Sequence, residues 1–220
     1  MTERKRSPRS GRSVPQQEAG SGRGGTRDRL LRATLASLAR QGLAGTTSRG
    51  IAAEAGVNLQ AITYHFGSKD DLVAEVLVET VREWLAPARA VLESEGDPIA
   101  LMIAAVQELQ AAFTRARPLL AVYVEAMAGA RRNERLHRRI RRLFTELRSF
   151  LAARIGQLQG TGFLPAWIDP DAMAALLIAT GDGLALHAHL DPRGIDHHAV
   201  AAQAMQLLLA AQSGPGATPP

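Results

Sequence analysis

The sequence predicts an all-α protein, with an N-terminal three-helix unit built around a helix-turn-helix and a larger helical body behind it. Three observations predict this. No run alternates apolar and polar residues as a half-buried strand would. Apolar residues recur three and four apart almost throughout, as in Leu31–Leu35–Leu38 and Leu136–Ile140–Leu143–Leu147. Helix starts and stops punctuate the chain: glycines at 42 and 56, and Asp-Pro pairs at 97–98, 169–170 and 191–192.

Residues 1–25 are rich in Arg, Gly, Ser and Pro and nearly lack apolar side chains, which predicts a disordered basic arm. Residues 1–32 hold nine Lys/Arg against three Asp/Glu, a local charge of +6 within a chain of net charge +5, so the rest is nearly neutral. Such an arm either adds non-specific attraction for phosphates or is a solvated leader. Arg27 to Arg40 follows as the first helix, with Leu30, Leu31, Leu35, Leu38 and Ala39 as its stripe and Gly42 as its stop.

Thr47 to Leu72 is the most specific stretch. Thr47 is placed to cap a short helix whose apolar face is Ile51, Ala52 and Ala55. Gly56 ends it where a positive φ is needed, and Val57 plugs the corner. Asn58 is a side-chain cap for a second short helix that buries Ile62 and Phe66. Ser68-Lys69-Asp70-Asp71 is a capping box for the next helix, with Asp71 reaching back. The second helix leaves Leu59, Gln60, Ala61, Thr63, Tyr64 and His65 facing outward. Gln60 and Thr63 suit base edges, and Leu59, Ala61 and the Thr63 methyl suit a thymine methyl. Tyr64, His65 and Lys69 suit phosphate oxygens, the last at a helix start. Thr47, Ser48 and Arg49 at the first helix, and Arg27 before it, complete the set expected near a duplex. This is how a protein sets a helix in a major groove. Each residue alone also fits an ordinary helical hairpin; the ordered set does not.

The body is predicted as helices over Asp70 to about Glu95, Pro98 through Phe113, Leu119 to about Ala130, about Asn133 to Leu158, Pro170 to about Leu190, and about Asp196 to Gln212. Arg117-Pro118 and Asp191-Pro192 are breaks, and residues 213–220 form a disordered tail. Units are therefore expected at 1–25 (arm), 26–72 (DNA-binding), 73–212 (body) and 213–220 (tail). The stretch Arg131 to Arg142 holds seven arginines and one acid. Its apolar stripe points the other way, so a solvated charged face is expected, with Glu134–Arg138 and Arg142–Glu146 as surface pairs.

The chain of 220 residues has 46% hydrophobic and 21% charged residues and no cysteine, which excludes disulfides and thiolate metal sites. No uninterrupted apolar stretch is expected to span a bilayer, and the basic start lacks the apolar core of a signal peptide. A cytoplasmic location follows by default. No cofactor and no metal site is expected.

Thr47, Ile51-Ala52, Ala55-Gly56-Val57, Tyr64-His65-Phe66, Lys69 and Leu72 together resemble the DNA-binding domain of the TetR family of bacterial transcriptional regulators. Two positions depart from the pattern. Gly50 stands where an acid is common, and Thr63 where a tyrosine is usual. The resemblance implies a homodimer formed through the last two helices, here lined by Met173, Leu177, Leu184 and Ala188 and by Val200, Ala204, Leu207, Leu208 and Ala211. Two recognition helices would then meet an inverted-repeat operator in double-stranded DNA. It also implies a small-molecule effector in the body, for which Trp84, Phe113, Tyr123, Met127, Trp167 and His187 are candidate contacts. A mostly hydrophobic or amphipathic effector would release a repressor from its operator. Two other functions compete: a non-specific nucleoid-type DNA binder, and an all-α enzyme with a site near Asp182 and His187. A protein-binding adaptor using Arg131–Arg142 is a third. No nucleophile motif or i, i+4 metal pair favours an enzyme.

Overall fold

The computed structural model describes residues 22–191 and 193–212. The expected arm up to residue 21, the tail 213–220 and the break at Pro192 lie outside the described residues. Among the described residues nine α-helices make up the fold and no strand occurs. They are α1 (Gly22–Gly45), α2 (Ser48–Ala55), α3 (Gln60–Phe66), α4 (Lys69–Glu93), α5 (Pro98–Ala116), α6 (Leu120–Gly129), α7 (Glu134–Gly160), α8 (Pro170–Leu190) and α9 (His197–Gln212). Short 3-10 turns join α5 to α6 at Arg117–Leu119 and α6 to α7 at Ala130–Arg132.

α1 begins at Gly22, earlier than the sequence indicates, so residues 22–25 are helical rather than part of the arm. Gly42 does break the helix, with φ of +68°, and one further turn follows it. Hydroxyls pin this break. Thr46 Oγ1 donates to the Gly42 carbonyl at 2.7 Å and lies 3.1 Å from Ser37 Oγ, so the buried polar groups here are satisfied.

α1 to α3 and the start of α4 share one core: Leu30, Leu38, Ile51 and Leu72 are fully buried, with Ala52, Ala55 and Ile62 around them. Leu119 and Val122 of the body pack into the same cluster. The boundary expected at residue 72 falls inside α4, a single helix that runs from the DNA-binding unit into the body. α4 also carries Pro87, which removes one backbone donor without ending the helix.

The body's helix starts follow their caps. Asp97 accepts from the Ala100 N–H at 2.9 Å, Asp169 from Ala172 at 2.8 Å, and Asn133 from Arg135 and Leu136. α7 buries Leu136, Ile140, Leu143 and Ile155. α8 turns Ala174 and Ala185 inward, but Leu176, Leu186 and Leu190 stand 59%, 42% and 70% exposed. Of the lining expected for α8, Leu177 is 41% exposed and Leu184 half-buried, while Met173 and Ala188 pack on their own subunit; Leu176, Leu186 and Leu190 widen the open face. α8 qualifies the expectation about bilayer-length stretches, although Asp171 and Asp182 interrupt it. Its 21 residues are long and apolar enough to cross a membrane by length and composition. Asp182 at its middle would be costly in hydrocarbon, and its uncovered apolar face accounts for the composition.

Candidate nucleic-acid interface

The helix pair α2–α3 is built by local chemistry. Thr47 Oγ1 accepts from the Gly50 N–H at 3.1 Å and starts α2. Gly56 ends it at φ +60°, its N–H returning to Ala52 and Ala53. Asn58 Oδ1 accepts from the Gln60 N–H at 2.9 Å and starts α3. Two contacts that no sequence pattern signals tie this pair to α1. Arg29 donates to the Ala55 carbonyl at 2.8 Å and the Gly56 carbonyl at 2.6 Å, closing the C-terminus of α2 with a cation where the helix dipole favours one. Arg40 and Glu54 form a two-pronged pair at 3.0 and 2.6 Å that holds the Glu54 carboxyl below its ordinary range.

α3 presents the expected face. Ile62 is buried, while Gln60, Thr63 and Tyr64 are exposed, Tyr64 by 66%. Leu59 is 44% exposed, and Ala61 and His65 are half-buried. The Tyr64 and His65 rings meet edge to face at 5.0 Å. Thr47, Arg49 and Asn58 are exposed and Ser48 is half-buried along the same surface. Two expected phosphate contacts are engaged within the fold. Lys69 Nζ donates to the Thr46 carbonyl at 3.1 Å, which leaves two of its three donors. Arg27 pairs with Glu75 and covers the Phe66 ring at 5.3 Å, with its side chain still 43% exposed. Asp71 does reach back to Ser68, but to its hydroxyl at 2.7 Å rather than its backbone, and it also pairs with Arg135.

In the body, Trp84, Tyr123 and Met127 line one apolar cavity with Leu77, Val81 and Leu143. Its free interior is only about 20 Å³, room for a single water. Phe113 packs on the same buried cluster of Ala116, Leu120 and Ala185 as Trp84 and Tyr123. Trp167 and His187 do not join them. Trp167 is 67% exposed between α7 and α8, and His187 is exposed on α8. Asp182 turns the other way from His187 and accepts from the Tyr123 hydroxyl at 2.6 Å. Burial raises the Asp182 carboxyl above its ordinary range, against the Tyr123 hydrogen bond, and burial raises the Tyr123 hydroxyl too. Asp182 and His187 thus form no catalytic pair.

The solvated face expected over Arg131–Arg142 is only partly so. Arg138 pairs with Glu134 as expected, at 3.1 Å. Arg135 and Arg139 instead dock on Asp71 and Glu75 of α4, and Glu146 takes Arg82 rather than Arg142. Periodicity sets these arginines off the apolar stripe but gives no sign of which neighbour lies there.

Comparison with known proteins gives two family matches. Residues 30–76 match the family described as bacterial regulatory proteins, tetR family. Residues 98–212 match the C-terminal region of the BetI-type transcriptional repressors. The HTH-type transcriptional regulator BetI of Paraburkholderia xenovorans is 29% identical over 126 residues, covering 55% of this chain and 65% of its own length. The HTH-type transcriptional regulator PksA of Bacillus subtilis is 27% identical over 177 residues, covering 76% of this chain and 80% of that one. Among solved structures, a TetR transcription regulator from Haloarcula marismortui superposes with a TM-score of 0.73 over 85% of this chain and 98% of its own. At 22% identity that likeness speaks to the fold.

Proposed function

The chain belongs to the TetR family of bacterial regulatory proteins, and from that membership we propose that it is a dimeric repressor released from an inverted-repeat operator by a small-molecule effector. One observation carries this: α3 keeps Ile62 in the core and turns Gln60, Thr63 and Tyr64 to solvent at a corner closed by the start of α4. That is the geometry of a helix offered to a major groove. In the proposed roles Gln60 and Thr63 read base edges, Leu59 and Ala61 touch thymine methyls, and Tyr64, His65, Lys69, Thr47, Ser48, Arg49 and Asn58 hold the backbone. Arg27, paired with Glu75 but 43% exposed, would add a phosphate contact beside its role in the fold. The stripe of α8 through Leu176, Leu186 and Leu190, with Leu207 of α9 at 64% exposed, supports burial against a second copy.

The effector would enter between α4, α6 and α7, where Trp84, Tyr123 and Met127 already meet. Its body would be apolar, with one group able to donate to Asp182. Room for one water means that binding must part these helices, so the effector would act by favouring a form with mis-set recognition helices. Such a protein works on DNA in the cytoplasm.

The test is selection of bound duplexes from a random pool. An inverted repeat is the expected product. Gln60→Ala should then change base preference at one position per half-site, while Tyr64→Phe and Lys69→Ala should weaken all sites alike and Lys69→Ala alone should lower the salt slope. Enrichment of no sequence, with binding that only tracks salt, would replace the proposal by a non-specific binder.

A further inference from the structure

α4 and α7 lie side by side and parallel, and the charges along their seam form a ladder. Arg135 pairs with Asp71, Arg139 reaches Glu75 at 3.5 Å, and Arg82 reaches Glu146 at 2.7 Å. Each rung joins residues 64 apart in sequence. Asn133 adds a contact to Asp70 at 3.4 Å at the same end. The burial is one-sided. The side chains of Asp71 and Glu75 are 10% and 15% exposed, those of Arg135 and Arg139 57% and 41%. The acids lie in the seam and the arginines lean over them from the body, so removing an arginine leaves a poorly solvated carboxylate.

The signs select one register. Sliding α7 one turn one way would set Asp71 against Arg131 and Glu75 against Arg135, but Arg82 against Arg142, like against like. Sliding it the other way would set Asp71 against Arg139, but Glu75 against Leu143 and Arg82 against Phe150. Packed helices that slip past one another settle again about one turn on, ~5.4 Å away. Here a slip in either direction loses rungs.

The DNA end of the ladder grips α3. Asp71 holds the hydroxyl of Ser68, which caps α4. The Arg135 guanidinium lies near Gly67, where α3 ends: a Cβ added there would be 3.9 Å from its Nη1. Glu75 also holds Arg27, whose guanidinium covers Phe66 of α3. We propose that this ladder fixes the register of α4 on α7 and so the angle at which α3 is offered to DNA, with Arg135 and Arg139 as positioning residues. The proposal rests on the DNA-binding function above, and two measurements separate the fates of the two.

The first needs no DNA. The chain has no cysteine, so Gln60→Cys with Ala153→Cys gives two unique spin-label sites per chain, one on α3 and one on α7, read in dimers formed with an excess of unlabelled chain. A narrow distance distribution is expected in the parent and a broadened or displaced one in R135Q/R139Q. An unchanged distribution overturns the ladder. The second uses the selected operator with its half-sites moved apart or together by one or two base pairs, and a duplex with one half-site scrambled. R135Q/R139Q should bind the scrambled duplex within about threefold of the parent yet lose about tenfold of the preference for the native spacing. Retained spacing preference, or a parallel loss on both duplexes, overturns the proposal. Should R135Q/R139Q fail to fold, R82E and the exchange R82E/E146R decide: the exchange should recover the narrow distribution that R82E loses, and no recovery refutes the ladder. A parent that selects no inverted repeat refutes the proposed function while the distances still judge the ladder.

Discussion

Gly56→Ala tests how the α2–α3 corner is built. Gly56 sits at φ +60°, where a residue with a Cβ is disfavoured by roughly 1–2 kcal/mol. The added Cβ would also lie 2.9 Å from Arg29 Nη2. Carbon and nitrogen settle nearer ~3.5 Å, so the guanidinium must retreat by roughly half an ångström. It would then stretch its bonds to the Ala55 and Gly56 carbonyls. Arg29 is the flexible partner and the site is largely exposed, so this second part is on the order of 0.5–1 kcal/mol. The sum is roughly 1.5–3 kcal/mol, or a fall in Tm of roughly 3–12 °C for a chain of this size. Thermal unfolding followed by circular dichroism reads it, in a double-mutant cycle with Arg29→Ala. In the Arg29→Ala background Gly56→Ala should cost only the backbone part, leaving a coupling of about 0.5–1 kcal/mol. Equal costs in both backgrounds would show that Arg29 does not close α2, and a neutral Gly56→Ala would show that the turn does not need its left-handed residue.

Other expectations concern the body. Burial raises the Asp182 carboxyl, so between the ordinary and the raised pKa the folded chain binds more protons than the unfolded one. Its contribution is favourable below about pH 4 and is lost as pH rises through the raised value. Asp182→Asn keeps an acceptor for Tyr123; it should stabilise the protein at neutral pH and lose that advantage in acid, as urea melts at pH 3.5 and pH 7.5 would show. Equal effects at both pH values refute it. The Tyr123 hydroxyl, raised by burial, should add a loss of stability above about pH 10 that Tyr123→Phe removes. Leu186→Glu with Leu190→Glu should weaken self-association by at least about a hundredfold, since each leucine buried is worth about 1.5 kcal/mol or more. Sedimentation at micromolar concentration checks this, and an unshifted dimer would move the interface elsewhere.

What the sequence made legible was local. Thr47, Gly56, Asn58, Ser68, Asp97-Pro98 and Asp169-Pro170 act on backbone groups two to four residues away, so their chemistry could be read from spacing alone. The outward face of α3 followed because Ile62 and Phe66 fix its inward one. The misses all depend on partners distant in the chain. Arg29, Arg135 and Arg139 look like any solvated arginine until α2 and α4 are placed beside them. Arg27 looks unpaired because nothing near it in sequence announces Glu75, 48 residues on. On α8 nearly every side chain is small or apolar, so periodicity cannot tell the covered face from the open one. Trp167 and His187 group with Trp84 by residue type, which says nothing of position.

The body's apolar void has a free interior of only about 20 Å³, no larger than a water molecule needs. A larger guest would need a conformer in which the helices are parted, and its apparent affinity would fall in proportion to that conformer's occupancy. Trimming a wall residue such as Met127 would therefore enlarge the void and sharpen sensitivity to a ligand that fills it. A compound small enough to slip in without parting the helices leaves the balance of shapes where it was, and the switch is deaf to it.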